Sequence, residues 1–261
     1  MSSETQARNL PPASPERRLR IVAAPAACEG CAVQSRAICS ALPPGERDTL
    51  GRLGRTQSLT RGATLMWEGD EARVVATVLE GVLKLSVSTS DGREQILGVA
   101  YPSDFVGRPY GATMPYQVTA LTDARVCVFP KSAFDRFATE HPALEHLLLE
   151  RTLTHLDRAH AQLLDLGRKT AAERLASFLL ELSERLAQAE CGPDAARGQP
   201  APLEAFELPL DRQQIGDLLG LAIETVSRTL QKMKTAGVIA LVGRRGVAVL
   251  DRAALKRMAG L

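Results

Sequence analysis

Three cysteines stand close together near the start of the sequence, in the stretch CEGCAVQSRAIC. They are Cys28, Cys31 and Cys39, with the spacing C-x2-C-x7-C, and a fourth cysteine, Cys127, lies in the apolar run RVCVF. Thiolates bind zinc and iron-sulfur clusters, and a C-x2-C pair also occurs in redox disulfides. Cys127 taken alone is typical of a buried core residue, because free cysteine packs as a small hydrophobe. The residues by themselves therefore leave zinc, a cluster, redox chemistry and simple burial open.

The composition describes a globular chain of 261 residues, 45% of them hydrophobic and 24% charged, a length typical of about two domains. The first twenty residues are polar, and no run of eighteen apolar residues occurs, so we expect a cytoplasmic protein. In that reducing compartment five cysteines argue against a disulfide framework. The fifth, Cys191, lies in a stretch rich in Gly, Pro and Ala without a cysteine nearby, and we interpret it as incidental.

The most specific pattern lies near the C-terminus, in DRQQIGDLLGLAIETVSRTLQKMKTAGVI. It contains two short helical patterns separated by a turn around Gly220, and the hairpin-like run IALVGRRGVAVL overlaps its end. Asp211 and Gln214 have the spacing of a capping box at the start of the first helix. The apolar positions that we expect to form the core of the two helices are Ile215, Leu218, Leu219, Val226, Leu230 and Met233. Together these features predict a helix-turn-helix with a wing.

The polar positions of the same region suit contact with DNA. An Arg can donate two hydrogen bonds to guanine, a Glu can accept one from the amino group of cytosine, and a Ser can do either. Five basic residues and no acidic residue lie between Arg228 and Arg245. The alternative is an amphipathic helical hairpin whose polar side chains face water. The candidate DNA-binding residues are Gln213, Glu224, Thr225, Ser227, Arg228, Arg244 and Arg245.

Two further elements must position these groups. From Gly62 to Phe129 short β-type runs alternate with turn residues, which predicts a small barrel or jelly roll. After Pro142 a helical pattern carries an apolar stripe, which indicates a dimer interface; the alternative is a helix that packs only on its own domain. The residues of the stripe are Leu149, Leu153, Leu156, His160 and Leu163.

The run IETVSRTLQKMKTAGVI, residues 223–239, resembles the recognition helix of the CRP/FNR superfamily of bacterial transcription regulators. Glu224, Ser227 and Arg228 match the E-x-x-S-R pattern of its FNR branch, although Ala222 stands where many members have a Ser or Thr cap. The runs SDFVG and TALTDARVCVFP resemble the sensor barrel, and RKTAAERLASFLLEL resembles the passage into the DNA-binding domain. The resemblance covers roughly residues 28–250.

Membership implies an α+β fold: a cyclic-nucleotide-binding-like β-barrel (jelly roll), a long dimerisation helix and a C-terminal winged helix-turn-helix. The expected boundaries are a flexible arm over residues 1–27, the cysteine loop and barrel over 28–140, the dimerisation helix over 141–168 and the DNA-binding domain over 169–261. The cyclic-nucleotide branch of the family clamps the ligand phosphate with an Arg-Ser or Arg-Thr pair, but here Met114 and Pro115 occupy that place. We therefore expect no cyclic nucleotide, and the nearby Arg108 is poorly placed to substitute.

Resemblance to the FNR branch implies that Cys28, Cys31, Cys39 and Cys127 hold a 4Fe-4S cluster. It also implies a homodimer that responds to oxygen, binds TTGAT-like inverted repeats on double-stranded DNA and contacts RNA polymerase. The implied protein is not an enzyme and has no membrane partner. The alternatives are a cluster-free or nitric-oxide-responsive regulator of the same family, and a cupin-like or cysteine-based redox enzyme. The enzyme is disfavoured because no His cluster marks the barrel strands.

Overall fold

A computed structural model describes residues 24–25, 28, 30–190 and 200–261 of the chain. Its N-terminal half is a barrel of nine strands, each paired antiparallel to its neighbours. The strands are β1 (Ala24–Pro25), β2 (Arg55–Leu59), β3 (Thr64–Met66), β4 (Val74–Glu80), β5 (Leu83–Ser88), β6 (Glu94–Ala100), β7 (Phe105–Gly107), β8 (Gln117–Ala120) and β9 (Ala124–Pro130).

The barrel consists of two sheets that pack around an apolar interior. One sheet has the order β1-β2-β9-β4-β7 and the other the order β3-β8-β5-β6. Inward side chains such as Val78, Val118 and Val126 are fully buried between them. The predicted runs thus form strands, and the predicted α+β class is confirmed; β1, β2 and β7 lie outside the predicted runs.

Seven helices and a second small sheet complete the described part of the chain. The helices are α1 (Pro44–Leu53), α2 (Lys131–Glu140), α3 (Pro142–Arg168), α4 (Ala171–Glu190), α5 (Arg212–Leu219), α6 (Ile223–Thr235) and α7 (Arg252–Met258). The second sheet has the order β10-β12-β11, formed by β10 (Ala205–Glu207), β11 (Ile239–Val242) and β12 (Gly246–Val249). None of these helices is both long and apolar enough to cross a bilayer.

Helix α3 changes its environment along its length. Pro142 occupies its first position, where a missing N–H costs nothing. In the first turns Leu144 and Leu148 are buried against the barrel. Beyond them the predicted stripe is exposed: Leu149 is 55% and Leu163 is 66% accessible in the single chain. The helix therefore carries an apolar face that this chain does not cover.

The barrel and the DNA-binding helices share one apolar core. Ile96 and Leu121 from the barrel belong to the same buried cluster as Leu175 and Leu179 of α4. A buried ion pair joins the two parts as well, because Arg185 of α4 donates to the Asp104 carboxylate. The two halves are therefore packed together rather than joined by a linker alone.

Two sequence predictions concern segments that the structure does not describe. Apart from Ala24–Pro25, which pairs with β2, the predicted arm over residues 1–27 lies outside the described residues. Cys191 also lies outside them.

Candidate metal centre and DNA-binding surface

Cys127 lies on the outer face of the five-stranded sheet. Along β9 the side chains of Ala124 and Val126 point into the barrel, whereas Cys127 and Phe129 belong to a separate apolar cluster outside it. In the ladder Cys127 stands between Thr56 of β2 and Thr77 of β4. The strand therefore gives this thiol a fixed direction, away from the barrel interior.

The other three cysteines lie on a loop that covers this face. Turns lie between Gly30 and Arg36, and a short 3-10 helix, Ile38–Ala41, follows. Ile38 is 2% exposed and joins the same apolar cluster as Cys127. Arg151 of α3 donates a hydrogen bond of 2.8 Å to the carbonyl oxygen of Arg36. The loop is thus held between the sheet and helix α3.

The four thiols line one cavity of about 40 Å³ between the loop and the sheet. Burial raises the pKa of Cys39 to about 11 and that of Cys127 to about 12, and the other cysteine charges add to both rises. Burial also raises the pKa of Cys28. None of the four forms a disulfide. Without a metal Cys28, Cys39 and Cys127 are therefore neutral thiols at pH 7, since a thiol is protonated well below its pKa.

Arg47 brings positive charge to this layer. Its carbonyl oxygen lies 3.7 Å from Cys28 Sγ, and its Nη2 donates to the carbonyl oxygen of Leu42 at 2.8 Å. Its Nε is buried and has no hydrogen-bond partner among the described residues. A buried unpaired donor is costly, so this nitrogen suits an anionic neighbour such as ligated thiolates.

The four cysteines supply thiolates, which are ligands of both zinc and iron-sulfur clusters. In the described part of the chain no three Cys, His, Asp or Glu side chains converge closely enough to hold one metal ion. Zinc would need four sulfurs within about 2.3 Å of one point. A 4Fe-4S cluster has one iron for each thiolate, so its ligands surround a volume instead. The four cysteines that line the cavity equal in number the thiolates that such a cluster takes.

The helix-turn-helix forms as its sequence predicts. The Asp211 side chain accepts from the backbone N–H of Gln214, and the Gln214 side chain accepts from the N–H of Asp211, each at 2.9 Å. Helix α5 ends at Gly220, whose φ of 63° favours glycine. Helix α6 begins after Ala222 without a side-chain cap, as expected. The six predicted core positions are buried or pack against the buried core.

The predicted base-reading residues share one face of α6. Glu224, Ser227 and Arg228 are exposed, whereas Thr225 is half-buried. Beside them lies an open groove of about 400 Å³, to which Arg228 contributes along with Lys232 and the first residues of α4. Gln213, by contrast, donates to the Asp217 carboxylate of its own helix at 2.8 Å. The face that meets solvent is therefore polar and basic.

The two wing arginines differ in their surroundings. Arg244 is exposed at the tip of the β11–β12 hairpin, where Gly243 has a φ of 58°. Arg245 is half-buried, and its Nη1 donates to the carbonyl oxygen of Pro209 at 3.2 Å. Arg244 is thus the freer of the two to reach a phosphate.

The barrel interior bears on the expected lack of a cyclic nucleotide. Met114 is 3% exposed and packs in the interior cluster with Met66 and Val118. The Arg108 side chain packs against Gly111: a Cβ on Gly111 would lie 2.5 Å from Arg108 Nε. Met114 therefore adds an apolar side chain to the barrel interior.

Comparison with known proteins agrees with this geometry. Residues 173–258 match the model of the Crp-like helix-turn-helix domain, and residues 56–141 match that of the cyclic nucleotide-binding domain. The transcriptional activator protein FnrL of Cereibacter sphaeroides is 41% identical over 236 residues, which cover 89% of this chain and 92% of FnrL. The chain belongs to the CRP/FNR family of transcription regulators. It is accordingly a DNA-binding regulator by family.

Other CRP/FNR relatives cover the chain to a similar extent. The nitrogen fixation regulation protein FixK of Bradyrhizobium diazoefficiens is 36% identical, covering 89% of this chain and 93% of FixK. Among solved structures, FixK2 from Bradyrhizobium japonicum has a TM-score of 0.69 and 30% identity, covering 78% of this chain and 96% of that one. The similarity includes both the sensor barrel and the DNA-binding domain.

Sequence reasoning missed several residues that surround the site. Arg47 and Arg151 carry no motif, and their roles depend on contacts with distant or irregular backbone. Gly54 was also missed: a Cβ built on it would lie 2.6 Å from Phe129 Cε1 and 3.1 Å from Cys127 Sγ. The close approach of backbone to a strand leaves no sequence signal beyond a glycine.

We predict that Gly54→Ala displaces Phe129 and Cys127. The new methyl group has no room, and overpacking of this kind costs about 1–3 kcal/mol of the free energy of unfolding. Denaturant unfolding measures the loss. Gly45→Ala is the matched control, because a Cβ there meets nothing within 4 Å. Equal stability of the two variants would contradict the close packing inferred around Gly54.

Proposed function

We propose that this protein is a cytoplasmic, oxygen-responsive transcription regulator of the FNR type. It acts as a homodimer that carries a 4Fe-4S cluster, binds TTGAT-like inverted repeats, contacts RNA polymerase and has no catalytic activity. One observation carries the proposal: a loop and a barrel strand bring four thiols around one cavity, in a chain that also bears an exposed recognition helix. FnrL and other relatives are named activators, so we propose activation as the effect on transcription.

In this proposal Cys28, Cys31, Cys39 and Cys127 are the ligands. The cluster supplies the group that reacts with oxygen. The protein supplies the thiolates, the apolar layer around them and the positive charge of Arg47. Three ligands lie on the loop and its short 3-10 helix and the fourth lies on a strand, so the loop side can adjust while the sheet stays fixed. Ligation thereby ties the loop to the barrel.

The contacts of the loop suggest how ligation reaches the dimer interface. Ile38 packs in one cluster with Leu148 of α3, and Arg151 holds the Arg36 carbonyl one helical turn further on. Leu149 and Leu153 lie on the exposed side of the same turns. A change in the loop therefore acts directly on the part of α3 where the proposed dimer interface begins.

We predict that each of the four ligand cysteines is required for the cluster and that Cys191 is not. Replacing Cys28, Cys31, Cys39 or Cys127 by Ala removes one of four thiolates, so iron and acid-labile sulfide should fall sharply in anaerobically purified protein. Cys191→Ala serves as the control, and its solution should keep the brown colour of a cluster-loaded protein. Full cluster content in Cys127→Ala would refute the ligand assignment. Colourless wild-type protein with bound zinc, or with no metal, would instead favour a cluster-free regulator.

We predict that Leu156→Glu yields a monomer. The substitution places a charge in a two-fold apolar interface, where an unpaired buried charge costs several kcal/mol. Sedimentation of the cluster-loaded protein measures the oligomeric state. Thr154→Glu is the control, because residues two apart face different sides of a helix and Thr154 is also exposed. An unchanged dimer for Leu156→Glu would show that the interface lies elsewhere.

We predict that Arg228→Ala and Arg244→Ala change DNA binding in different ways. Arg228→Ala should cost about 1–3 kcal/mol per half-site and relax the preference at one G·C pair, because Arg228 is the proposed guanine donor and Glu224 the acceptor from cytosine. Arg244→Ala should lower the binding affinity for all DNA sequences alike and reduce its salt dependence, because phosphate contacts carry no sequence information.

The measurement is a titration of single-base-substituted inverted repeats at two salt concentrations, with each half-site about one helical turn from the next. Ser227→Ala should alter a neighbouring base preference only. If Arg228→Ala kept the full preference for the G·C pair, α6 would not read bases as proposed.

A further inference from the structure

The last turn of α5 is held by three other parts of the molecule. Four carbonyl groups at the end of any α-helix lack partners within the helix. In α5 the carbonyl of Gly216 accepts from the backbone N–H groups of Gly220 and Leu221. The next three carbonyls accept from side chains outside the helix-turn-helix: Asp217 from Gln95, Leu218 from Gln162, and Leu219 from Arg174.

These donors come from three different elements. Gln95 lies on barrel strand β6, and its Nε2 is 2.6 Å from the Asp217 carbonyl oxygen. Gln162 lies on α3, with its Nε2 3.4 Å from the Leu218 carbonyl oxygen. Arg174 lies on α4, with its Nη1 3.0 Å from the Leu219 carbonyl oxygen. The sensor, the helix with the exposed stripe and the DNA-binding domain thus meet at one helix end.

The turn that follows leaves little freedom at this point. Only Gly220, Leu221 and Ala222 separate α5 from α6. A Cβ on Gly220 would lie 3.2 Å from Leu166 of α3, and one on Gly216 would lie 2.4 Å from the Leu221 carbonyl oxygen. The position of the α5 end therefore sets where the recognition helix begins.

We propose that Gln95, Gln162 and Arg174 are positioning residues that fix the recognition helix for DNA binding, and that Gln95 is the contact through which the sensor barrel takes part. The exposed face of α6 lies away from these contacts, so they restrain the helix without covering it. A helix fixed in advance loses less conformational freedom when it binds DNA. The proposal rests on DNA binding but not on the identity of the cofactor.

The test replaces Gln95 by Glu, which keeps the size of the side chain and replaces the amide Nε2, the donor to the carbonyl oxygens of Asp217 and Ile96, by an acceptor. We expect the affinity for the inverted repeat to fall about three- to tenfold, the effect of losing the hydrogen bond between the barrel and α5, with base preference and salt dependence unchanged. Gln117→Glu is the control, because Gln117 donates only within the barrel, to Thr119 and Thr64.

Amide hydrogen exchange, measured without DNA, separates positioning from general destabilisation. Faster exchange confined to residues 212–235 supports the proposal, whereas faster exchange throughout the chain in both variants counts against it. If Gln95→Glu does not fold, Gln95→Met removes the donor without adding charge. Affinity and exchange equal to those of Gln117→Glu, or tighter DNA binding, would overturn the proposal. Failure of the wild type to bind the repeat would refute the proposed DNA target, while the exchange result would still stand.

Discussion

The outer face of the five-stranded sheet has to be covered, and most of the architecture follows from how this is done. Its apolar side chains, including Val75 and Phe129, would otherwise face water. The cover consists of the cysteine loop, α1, α2 and the first turns of α3, which all contribute to one cluster. Because Cys127 points into this layer, the loop that seals it also brings the other cysteines to the same place.

Two kinds of contact join the barrel to the DNA-binding domain. A buried Ile or Leu such as Ile96 or Leu175 contributes about 1.5–3 kcal/mol, whereas one hydrogen bond contributes about 0.5–1.5 kcal/mol. The shared apolar core therefore decides that the barrel and α4 stay together. The directional contacts, Arg185 with Asp104 and Gln95 with the α5 end, decide how they are oriented. The association of the barrel with α4 and their relative orientation thus depend on different residues.

Local rules were sufficient for much of the fold but not for the surroundings of the site. The capping box at Asp211 and the apolar faces of α5 and α6 were predictable because they depend on spacing within a few residues. Strand β2 was missed because its sequence, RTQSL, is mostly polar, and α1 because Pro44 and two glycines lower its helix propensity. The likeness of the cysteines to a family pattern pointed to the site, whereas Arg47 and Gln95 act on backbone groups that only the tertiary structure brings near.

The chemistry of the cysteine layer accounts for a site that can exist with or without a cofactor. Neutral thiols pack as small apolar groups, and burial keeps Cys39 and Cys127 protonated at pH 7. Metal ligation requires thiolates, so it releases protons and brings negative charge into an apolar layer. The positive charge of Arg47 favours thiolates at Cys28 and Cys39, because it lowers the pKa of both against the larger effect of burial. In the proposed regulator the core forms from apolar side chains, and ligation would add a constraint at the cysteine loop, which contacts α3 through Arg151.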